Sequence, residues 1–283
     1  MTVAQTTTDD GTLELTITVP WNDVQSTFDA VVSDTTKKTE IPGFRKGKAP
    51  QKLIEDKLDE TKIYEEVLQR LIPKLYNDAI KQAGVRPLIS PKIELKEATK
   101  NKNWIIIART CQRPIVTVGD YKTAVTSAKG ATTKKIWLPG EEKKEEEKEK
   151  KPSLDVVLKA LLSVIMVDIP KLLIEHEVNR LLSELIDQTK QLGLTVEQYL
   201  ASTGRNAQSV RTEYEEQAKR TLMLEFGLEE VADKEGILVS DDDIDTVIKT
   251  AKTDEERKGL ERERYYLASI LRRQKTIDFL SSL

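Results

Sequence analysis

The chain has 283 residues, of which 33% are charged and only 5% are aromatic, and its formal net charge is −3. This length accommodates one large domain or two of ordinary size. The scarcity of aromatic side chains argues against one tightly packed globule and favours a helix-rich protein with much surface for each residue.

The N-terminal region mixes strand and helix patterns. Apolar residues alternate strictly over 13–19 (LELTITV), which predicts a half-buried strand, and an amphipathic helix follows over 21–38. After a glycine-rich stretch we expect a short helix (QKLIEDKL) and then a long one, with Pro73 inside it and Gly84 at its end. KIELKEA and NWIIIARTCQ are typical of a hairpin that joins the first strand. We predict an α+β domain with a small antiparallel sheet over 1–118.

The remainder divides into a linker and a helical body. The segment 119–152 ends in EEKKEEEKEKK, so we expect a charged linker or lone helix without a core of its own. From Leu154 to the end, every pattern indicates helix, with Ser240 as one N-cap. We therefore predict an all-α domain over 153–283, built of helical arms.

The sequence shows no enzyme active site. Only three residues separate the glycines of GFRKGKA, and alanine follows its last lysine, so it is not a phosphate-binding P-loop. His176 is the single histidine, which excludes histidine-rich metal sites and makes a catalytic triad implausible. Cys111, the single cysteine, lies in an apolar run typical of a buried strand. We expect no cofactor and no metal.

Location is inferred from what the sequence lacks. With one cysteine, no intramolecular disulfide can form, which is typical of a reducing compartment. MTVAQTTTDD has neither the basic nor the apolar part of a signal peptide, and no apolar run approaches the length of a membrane span. We expect a cytoplasmic protein.

The segment 41–50, IPGFRKGKAP, which we call the basic loop, is the strongest functional signal. Between residues 37 and 52 six cationic residues stand against Glu40 alone, a local charge of +5 in an acidic chain. One interpretation is an anchor, in which Phe44 fills a pocket or stacks while the cations meet phosphates or carboxylates. The other is that Phe44 packs into its own domain and the lysines only solubilise the surface.

The basic loop resembles the signature Gly-Phe-Arg-x-Gly-x-x-Pro of trigger factor, a family of bacterial ribosome-associated chaperones. Gly43, Phe44, Arg45, Gly47 and Pro50 match it. The resemblance extends over about 10–118 and 155–283, through LIPKLYNDAIKQAGVRPLISPKIEL, VDIPKLLIEHEVNRLL and TEYEEQAKRTLMLEFGLEEVADKEGILVSDDDI.

The resemblance implies an ATP-independent chaperone that docks beside the exit tunnel of the large ribosomal subunit and holds nascent chains. Phe44, Arg45 and Lys46 would touch a ribosomal protein and adjacent ribosomal RNA. The complete predicted docking set is Gly43, Phe44, Arg45, Lys46, Gly47, Lys48 and Pro50.

One part of the family's usual architecture is missing. Trigger factors commonly carry a prolyl isomerase domain of the FK506-binding type between the two matching parts. Here only 119–152 occupies that place, whereas such a fold needs roughly 90 residues. We therefore expect no prolyl isomerase activity and no enzymatic function.

Client binding is assigned to apolar residues of the helical body. Their alternative role is packing between the arms, which is the favoured interpretation for each residue taken singly. The candidates are Ile165, Met166, Leu222, Met223, Leu224 and Phe226.

Two further possibilities follow from the same residues. A rival function is an RNA-binding or scaffold module that combines a basic loop with a helical interaction arm, although the sequence has no second basic stripe. The resemblance also implies a weak homodimer that would use the client-binding surfaces.

Overall fold

The computed structural model of the chain describes residues 1–38, 60–133, 154–251 and 253–283. The chain divides into two compact units. The first contains Met1–Arg113 with Pro170–Leu173, and the second contains Pro114–Ile169 with Ile174–Leu283.

The first unit is built on a sheet whose four described strands are all antiparallel, in the order β1-β2-β4-β3. They are β1 (Thr2–Thr7), β2 (Leu13–Val19), β3 (Lys92–Glu97) and β4 (Trp104–Thr110). The predicted strand over 13–19 is confirmed, as is the predicted hairpin, which pairs with it through β4. Strand β1 was not predicted, because its sequence TVAQTT has no apolar alternation and five of its six residues are exposed.

Two of the helices in the described part of the chain cover this sheet, α1 (Trp21–Lys38) and α2 (Glu60–Ala83). One apolar cluster joins them to the strands. The predicted helix over 21–38 and the predicted long helix are confirmed, including Pro73 inside α2. The predicted short helix QKLIEDKL lies outside the described residues. Gly84 ends α2 with a φ of 66°, and the N–H of Val85 donates to the carbonyl of Ile80 at 3.2 Å. The four inward side chains of β2 and the apolar stripe of α2 are buried: Leu13, Leu15, Ile17, Val19, Ile63, Val67, Leu71 and Leu75.

The second unit is mainly helical, and its described elements include one small two-stranded sheet formed by β5 and β6. In chain order the elements are β5 (Val116–Val118), α3 (Tyr121–Thr133), α4 (Leu154–Leu162), β6 (Ile165–Val167), α5 (Lys171–Gln191), α6 (Val196–Thr203), α7 (Ala207–Lys234), α8 (Asp241–Lys249), α9 (Asp254–Arg262) and α10 (Arg264–Ser282). The first three residues of α5 belong to the first unit.

The all-helical expectation for the C-terminal part is wrong at 165–167. Helix α4 stops at Leu162, and Ile165 to Val167 pair with Val118 to Val116 in antiparallel register. The N–H of Gly119 also donates to the carbonyl of Val164 at 2.9 Å. Pairing with a distant strand therefore overrides the local helical pattern. The last helical stretch of the chain is divided, since α9 ends at Arg262 and α10 begins at Arg264.

The expected linker begins as ordered structure. Its first part forms α3, and Tyr121 and Val125, one turn apart, are buried in the core of the second unit. The segment 119–152 thus contributes to a core at its start, contrary to expectation, because an i, i+4 apolar pair gives this short helix a face to bury. Its remainder, 134–152, lies outside the described residues.

Local polar chemistry fixes several helix starts in the second unit. Ser240 is the N-cap of α8, as predicted, and its hydroxyl and the side chain of Asp243 form a reciprocal capping box. Helices α6, α7 and α9 begin in the same way, at Thr195, Asn206 and Thr253. Each box satisfies backbone N–H groups that the first helical turn leaves without partners.

Candidate functional site

The basic loop lies outside the described residues, so the docking roles of Gly43, Phe44, Arg45, Lys46, Gly47, Lys48 and Pro50 stay predictions. The structure does describe the helices on either side of it. Helix α1 ends at Lys38, before the loop, and α2 begins at Glu60, after it.

An ion-pair network joins these two helices. The Arg70 guanidinium on α2 contacts Asp34 Oδ2 on α1 at 2.9 Å and Glu66 Oε1, one turn away on α2, at 2.7 Å. The hydrogen bonds with Asp34 and then with Glu66 raise the pKa of Arg70. All three side chains are partly exposed, so each contact adds little stability, but the fork geometry fixes the position of one helix against the other.

Aromatic side chains hold the same helices on the sheet. The Phe28 ring of α1 lies 5.3 Å from the Tyr64 ring of α2, measured between centroids, and Tyr64 lies 5.7 Å from Trp104 of β4. Both pairs are tilted, the arrangement that the ring quadrupoles favour over face-to-face stacking. Trp104 is among the largest fully buried side chains. The chain therefore enters and leaves the segment 39–59 from helices that are fixed to each other and to the sheet.

The six client-binding candidates are not equivalent in the structure. Ile165, Leu222 and Phe226 are buried, and Met223 and Leu224 are partly buried against the same apolar cluster as Ile165. Met166 points the other way from its neighbour on β6 and is 65% exposed. The buried residues pack as core, and Met166 is the candidate that offers its side chain to solvent. Client binding by all six stays a prediction.

Ile165 is held by a glycine on a neighbouring helix. A Cβ placed on Gly227 of α7 would lie only 2.2 Å from Ile165 Cδ1 and 2.9 Å from its Cγ1. The absence of a side chain at Gly227 therefore creates the space that the end of Ile165 fills. This contact accounts for the burial of Ile165, in agreement with the packing role that the sequence favours for each candidate taken singly.

Other exposed apolar side chains of the second unit were not among the candidates. Tyr265 is 96% exposed at the start of α10, and its neighbour Tyr266 is also exposed. Ile115, Leu192 and Leu238 present most of their side chains to solvent as well. The sequence does carry a signal for the tyrosines, because two adjacent aromatic residues follow the charged run RER.

Two titratable side chains of α3 pair with Glu235, which follows the end of α7. Tyr121 Oη donates to Glu235 Oε1 at 2.5 Å, and Lys122 Nζ contacts the same oxygen at 2.8 Å. Burial and then the Glu235 carboxylate raise the pKa of Tyr121, while Lys122 and then Tyr121 lower the pKa of Glu235. These shifts keep the phenol neutral and the carboxylate charged, which stabilises the link between α3 and the end of α7.

Cys111 and His176 differ in their exposure to solvent. Burial raises the pKa of the Cys111 thiol to about 11, so at neutral pH it is a protonated and weak nucleophile. Cys111 is buried as predicted, but it lies one residue beyond the end of β4 and not within the strand. His176 is exposed on α5. The described residues contain no group of three or more histidine, cysteine or acidic side chains that could hold a metal. They also contain no helix long and apolar enough to cross a membrane.

Curated relatives match the N-terminal part of the chain. The trigger factor of Streptococcus pneumoniae (strain JJA) is 34% identical over 113 residues, which are 40% of this chain and 26% of that protein. The trigger factor of Bacillus cereus (strain Q1) is 37% identical over 108 residues, which are 38% of this chain and 25% of that protein. The matched part of the chain thus spans about a quarter of the length of these relatives.

The fold is that of a solved structure described as "Promiscuous Substrate Recognition in Folding and Assembly Activities of the Trigger Factor Chaperone". The TM-score is 0.68 at 15% identity, over 100% of this chain and 99% of that one.

Family models account for nearly the whole chain. The model described as "Bacterial trigger factor protein (TF)" matches residues 1–136, and the model described as "Bacterial trigger factor protein (TF) C-terminus" matches 135–282. The two matches adjoin, so no stretch remains between them for an isomerase domain. The chain belongs to the bacterial trigger factor family.

Proposed function

We propose that the chain is an ATP-independent chaperone that docks on the large ribosomal subunit beside the exit tunnel and holds unfolded nascent chains in the cytoplasm. The observation that carries this proposal is the complete family signature, Gly43, Phe44, Arg45, Gly47 and Pro50, in a chain that both family models match. The helices α1 and α2, joined through Arg70 and Asp34, give that signature a fixed base.

The charge distribution supports a single docking point. The local charge is +5 around the basic loop, in a chain of net charge −3. This distribution favours binding through the basic loop to an anionic surface of RNA and protein. The acidic remainder discourages nonspecific contact with RNA. Binding should therefore weaken as salt rises, because the released counterions belong to the few phosphates that Arg45, Lys46 and Lys48 neutralise.

Client holding would use many weak apolar contacts. Met166 and the exposed tyrosines of α10 offer soft or amphipathic surface that accepts varied partners. Ile165, Leu222 and Phe226 would contribute only if the helices around them separated, since they are buried in this conformation. Release would follow from weak affinity or from client folding.

The chain would have no prolyl isomerase activity and no other enzymatic function. The two family matches meet at residues 135–136, and the segment 119–152 is far shorter than the roughly 90 residues that an isomerase fold needs. An isomerase assay on a proline-containing peptide should give the uncatalysed rate. A rate that rises in proportion to protein concentration would contradict this part of the proposal.

The first test is co-sedimentation with bacterial ribosomes at moderate salt. The variant Phe44→Ala/Arg45→Ala/Lys46→Ala should bind at least about tenfold more weakly than the native chain, because it loses the anchor ring and two cations. The matched control is Tyr265→Ala/Arg257→Ala/Lys258→Ala, which likewise removes one aromatic residue, one arginine and one lysine, here from exposed positions of the second unit. Equal loss in both variants, or no loss in the first, would overturn docking through the basic loop.

A second assay separates the chaperone from the RNA-binding alternative. The native chain should suppress aggregation of a chemically unfolded client without nucleotide, whereas an RNA module has no reason to hold apolar chains. Tight binding to free RNA without any suppression of aggregation would favour the alternative.

A further inference from the structure

Helix α9 reaches the apolar interior of the second unit through one side chain. All nine of its residues, Asp254–Arg262, are described, and every one except Leu260 is exposed. Leu260 packs against the apolar cluster between α8 and α10, whose buried members are Ile244, Ile248 and Leu267. A single leucine therefore attaches α9 to the apolar core.

Helices α8 and α10 are joined to each other independently of α9. Their buried residues belong to the same cluster, and Lys275 Nζ of α10 contacts Asp243 Oδ2 of α8 at 2.6 Å. Arg264, the first residue of α10, contacts Asp245 Oδ1 of α8 at 2.7 Å. If α9 moved away, these contacts would keep α8 and α10 together. A groove between two helices would then be open where Leu260 now lies.

The sequence of α9 gives it little stability of its own. An isolated helix of nine residues is marginal in water, and Gly259 inside it lowers the helix propensity relative to alanine. A Cβ built on Gly259 would meet nothing within 4 Å, so no close packing requires the glycine. The capping box of Thr253 with Glu256 and the ion pair of Arg257 with Asp254 are contacts within the segment itself. We therefore expect α9 to open more readily than α8 or α10.

We propose that α9 is an internal placeholder for an unfolded client. Its Leu260 fills a groove between α8 and α10, and an aliphatic side chain of a client occupies this groove when α9 opens. The proposal rests on the chaperone function proposed above. The structure indicates the kind of occupant, because the groove holds a leucine that comes from a segment with no buried residue. A leucine of an unfolded chain has the same shape and chemistry.

Exposed apolar residues beside the groove extend the surface that a client would contact. Tyr266 and Ile270, one turn apart on α10, are 62% and 42% exposed. Leu267 and Leu271 follow each of them by one residue and belong to the cluster that Leu260 contacts. Residues at these spacings form adjoining stripes on one helix. Opening of α9 would therefore join a covered apolar stripe to an exposed one.

The composition of α9 suits reversible displacement. Seven of its nine residues are charged, so the displaced segment would stay solvated. The ion pair of Arg264 with Asp245 holds the chain close to the groove just beyond the end of α9. Return of Leu260 is therefore an intramolecular step with a high effective concentration. Refilling of the groove by Leu260 would assist release of the client without nucleotide.

The test compares one variant that closes α9 with one that opens it. Gly259→Ala adds helix propensity without a clash, so the open fraction and the affinity for a client should both fall about fivefold. Leu260→Ala removes the side chain that fills the groove, so the affinity should rise about tenfold. The probe is a fluorescein-labelled peptide that repeats Gly-Ser-Leu, and fluorescence anisotropy reports its binding to the full chain.

Two controls repeat these substitutions elsewhere in the chain. Gly130→Ala makes the same change inside α3, where a Cβ also meets nothing within 4 Å. Leu88→Ala removes a leucine of the first unit that is 45% exposed. Neither control should change the affinity for the leucine peptide. A peptide with serine in place of each leucine should bind more weakly, and Leu260→Ala should not improve its binding.

Hydrogen exchange read by mass spectrometry measures the opening itself. In the native chain the amides of α9 should exchange faster than those of α8 and α10, and Gly259→Ala should slow exchange in α9 about fivefold. Saturating leucine peptide should speed exchange in α9, because the client displaces this helix, and should slow exchange in α8 and α10. Protection of α9 by the peptide would mean that the client binds over a closed α9, which contradicts the proposal.

Failure of the placeholder and failure of the chaperone function give different results. If the native chain binds the leucine peptide but neither Gly259→Ala nor Leu260→Ala changes the affinity, α9 is not a placeholder and the chaperone function stands. The same conclusion follows if Leu260→Ala weakens binding, or if the native chain suppresses aggregation of a client without binding the leucine peptide. A native chain that neither binds the peptide nor suppresses aggregation would overturn both proposals.

Discussion

The two units of the molecule bury their apolar side chains in different ways. In the first, the sheet, α1 and α2 share one continuous cluster that includes Trp104, Ile106 and the inward face of β2. The described residues of the second unit contain three smaller clusters, centred on Ile165 and its neighbours, on the α5–α7 contact, and on the α8–α10 contact.

Charged side chains connect helices of the second unit where no large core does. Arg264 of α10 contacts Asp241 and Asp245 of α8 at 3.0 and 2.7 Å, and Lys275 contacts Asp243 at 2.6 Å. Each of these exposed pairs contributes little stability. The free energy of local unfolding should therefore be lower for these helices than for the sheet of the first unit. The comparison indicates a rigid base for the proposed docking segment and a more adjustable helical body.

The largest expected effect comes from removing the same side chain in each unit. Ile106→Ala empties a fully buried site in the continuous cluster, and Ile248→Ala empties a buried but less enclosed site, 5% exposed, in the small cluster of α8 and α10. We expect losses of about 4 and about 2 kcal/mol in unfolding free energy, because neighbours at an exposed boundary can collapse into the space while a sheet core cannot.

Hydrogen exchange read by mass spectrometry would assign each loss to its unit. Ile106→Ala should speed exchange throughout β2, β4 and α2, and Ile248→Ala should do so only around α8 and α10. Equal losses, or exchange that spreads through the whole second unit after Ile248→Ala, would show that its clusters act as one core.

A smaller effect tests the contact between Ile165 and Gly227. Gly227→Ala should cost about 1 kcal/mol, because the 2.2 Å approach of Ile165 Cδ1 forces that side chain to move and the strain exceeds the gain in helix propensity. In an Ile165→Ala background the same change should stabilise the chain by up to about 1 kcal/mol. Urea unfolding of the four proteins gives the double-mutant cycle. If Gly227→Ala changes the unfolding free energy in the same direction in both backgrounds, Ile165 does not limit the space at Gly227.

Periodic elements of the fold could be predicted from the sequence, and elements made by pairing could not. The alternation over 13–19 and the apolar stripe of α2 arise because each element buries one face. Apolar residues therefore recur along the sequence at the period of the strand or of the helix. Strand β1 carries no such pattern, because it is held by hydrogen bonds to β2 and buries little. Strand β6 continues an apolar run from α4, and only its partner β5 distinguishes it from helix.

The candidate sites show the same limit. Apolar identity made Ile165, Leu222 and Phe226 candidates for client binding or for packing, but burial depends on what packs against them, such as the glycine at 227. Met166 has the same apolar character and is exposed because β6 turns successive side chains to opposite faces. The exposed tyrosines at the start of α10 follow a run of charged residues, so apolar patterns in the sequence do not identify them.

The smallest expected effect concerns the charges that connect α8 to α10. Asp243 accepts hydrogen bonds from Lys275 Nζ at 2.6 Å and from the N–H and hydroxyl of Ser240 at 2.8 Å. Lys275 first, and then Ser240, lower the pKa of Asp243 from 3.8 to about 2. A carboxylate whose pKa is depressed by folding stabilises the folded chain above its ordinary pKa, and this contribution disappears as the pH falls through the lowered value.

Asp243→Asn keeps an acceptor oxygen at the helix start and removes the charge, so it isolates this contribution. The melting temperature of the variant should lie below that of the native chain at neutral pH, and the gap should close as the pH falls from about 4 to about 2. Asp242→Asn is the matched control, because it removes a charge from the same exposed first turn. If the Asp243→Asn gap persists at pH 2, the capping geometry and not the ion pair connects α8 to α10, and the contrast between a core-held and a charge-connected unit fails at this contact.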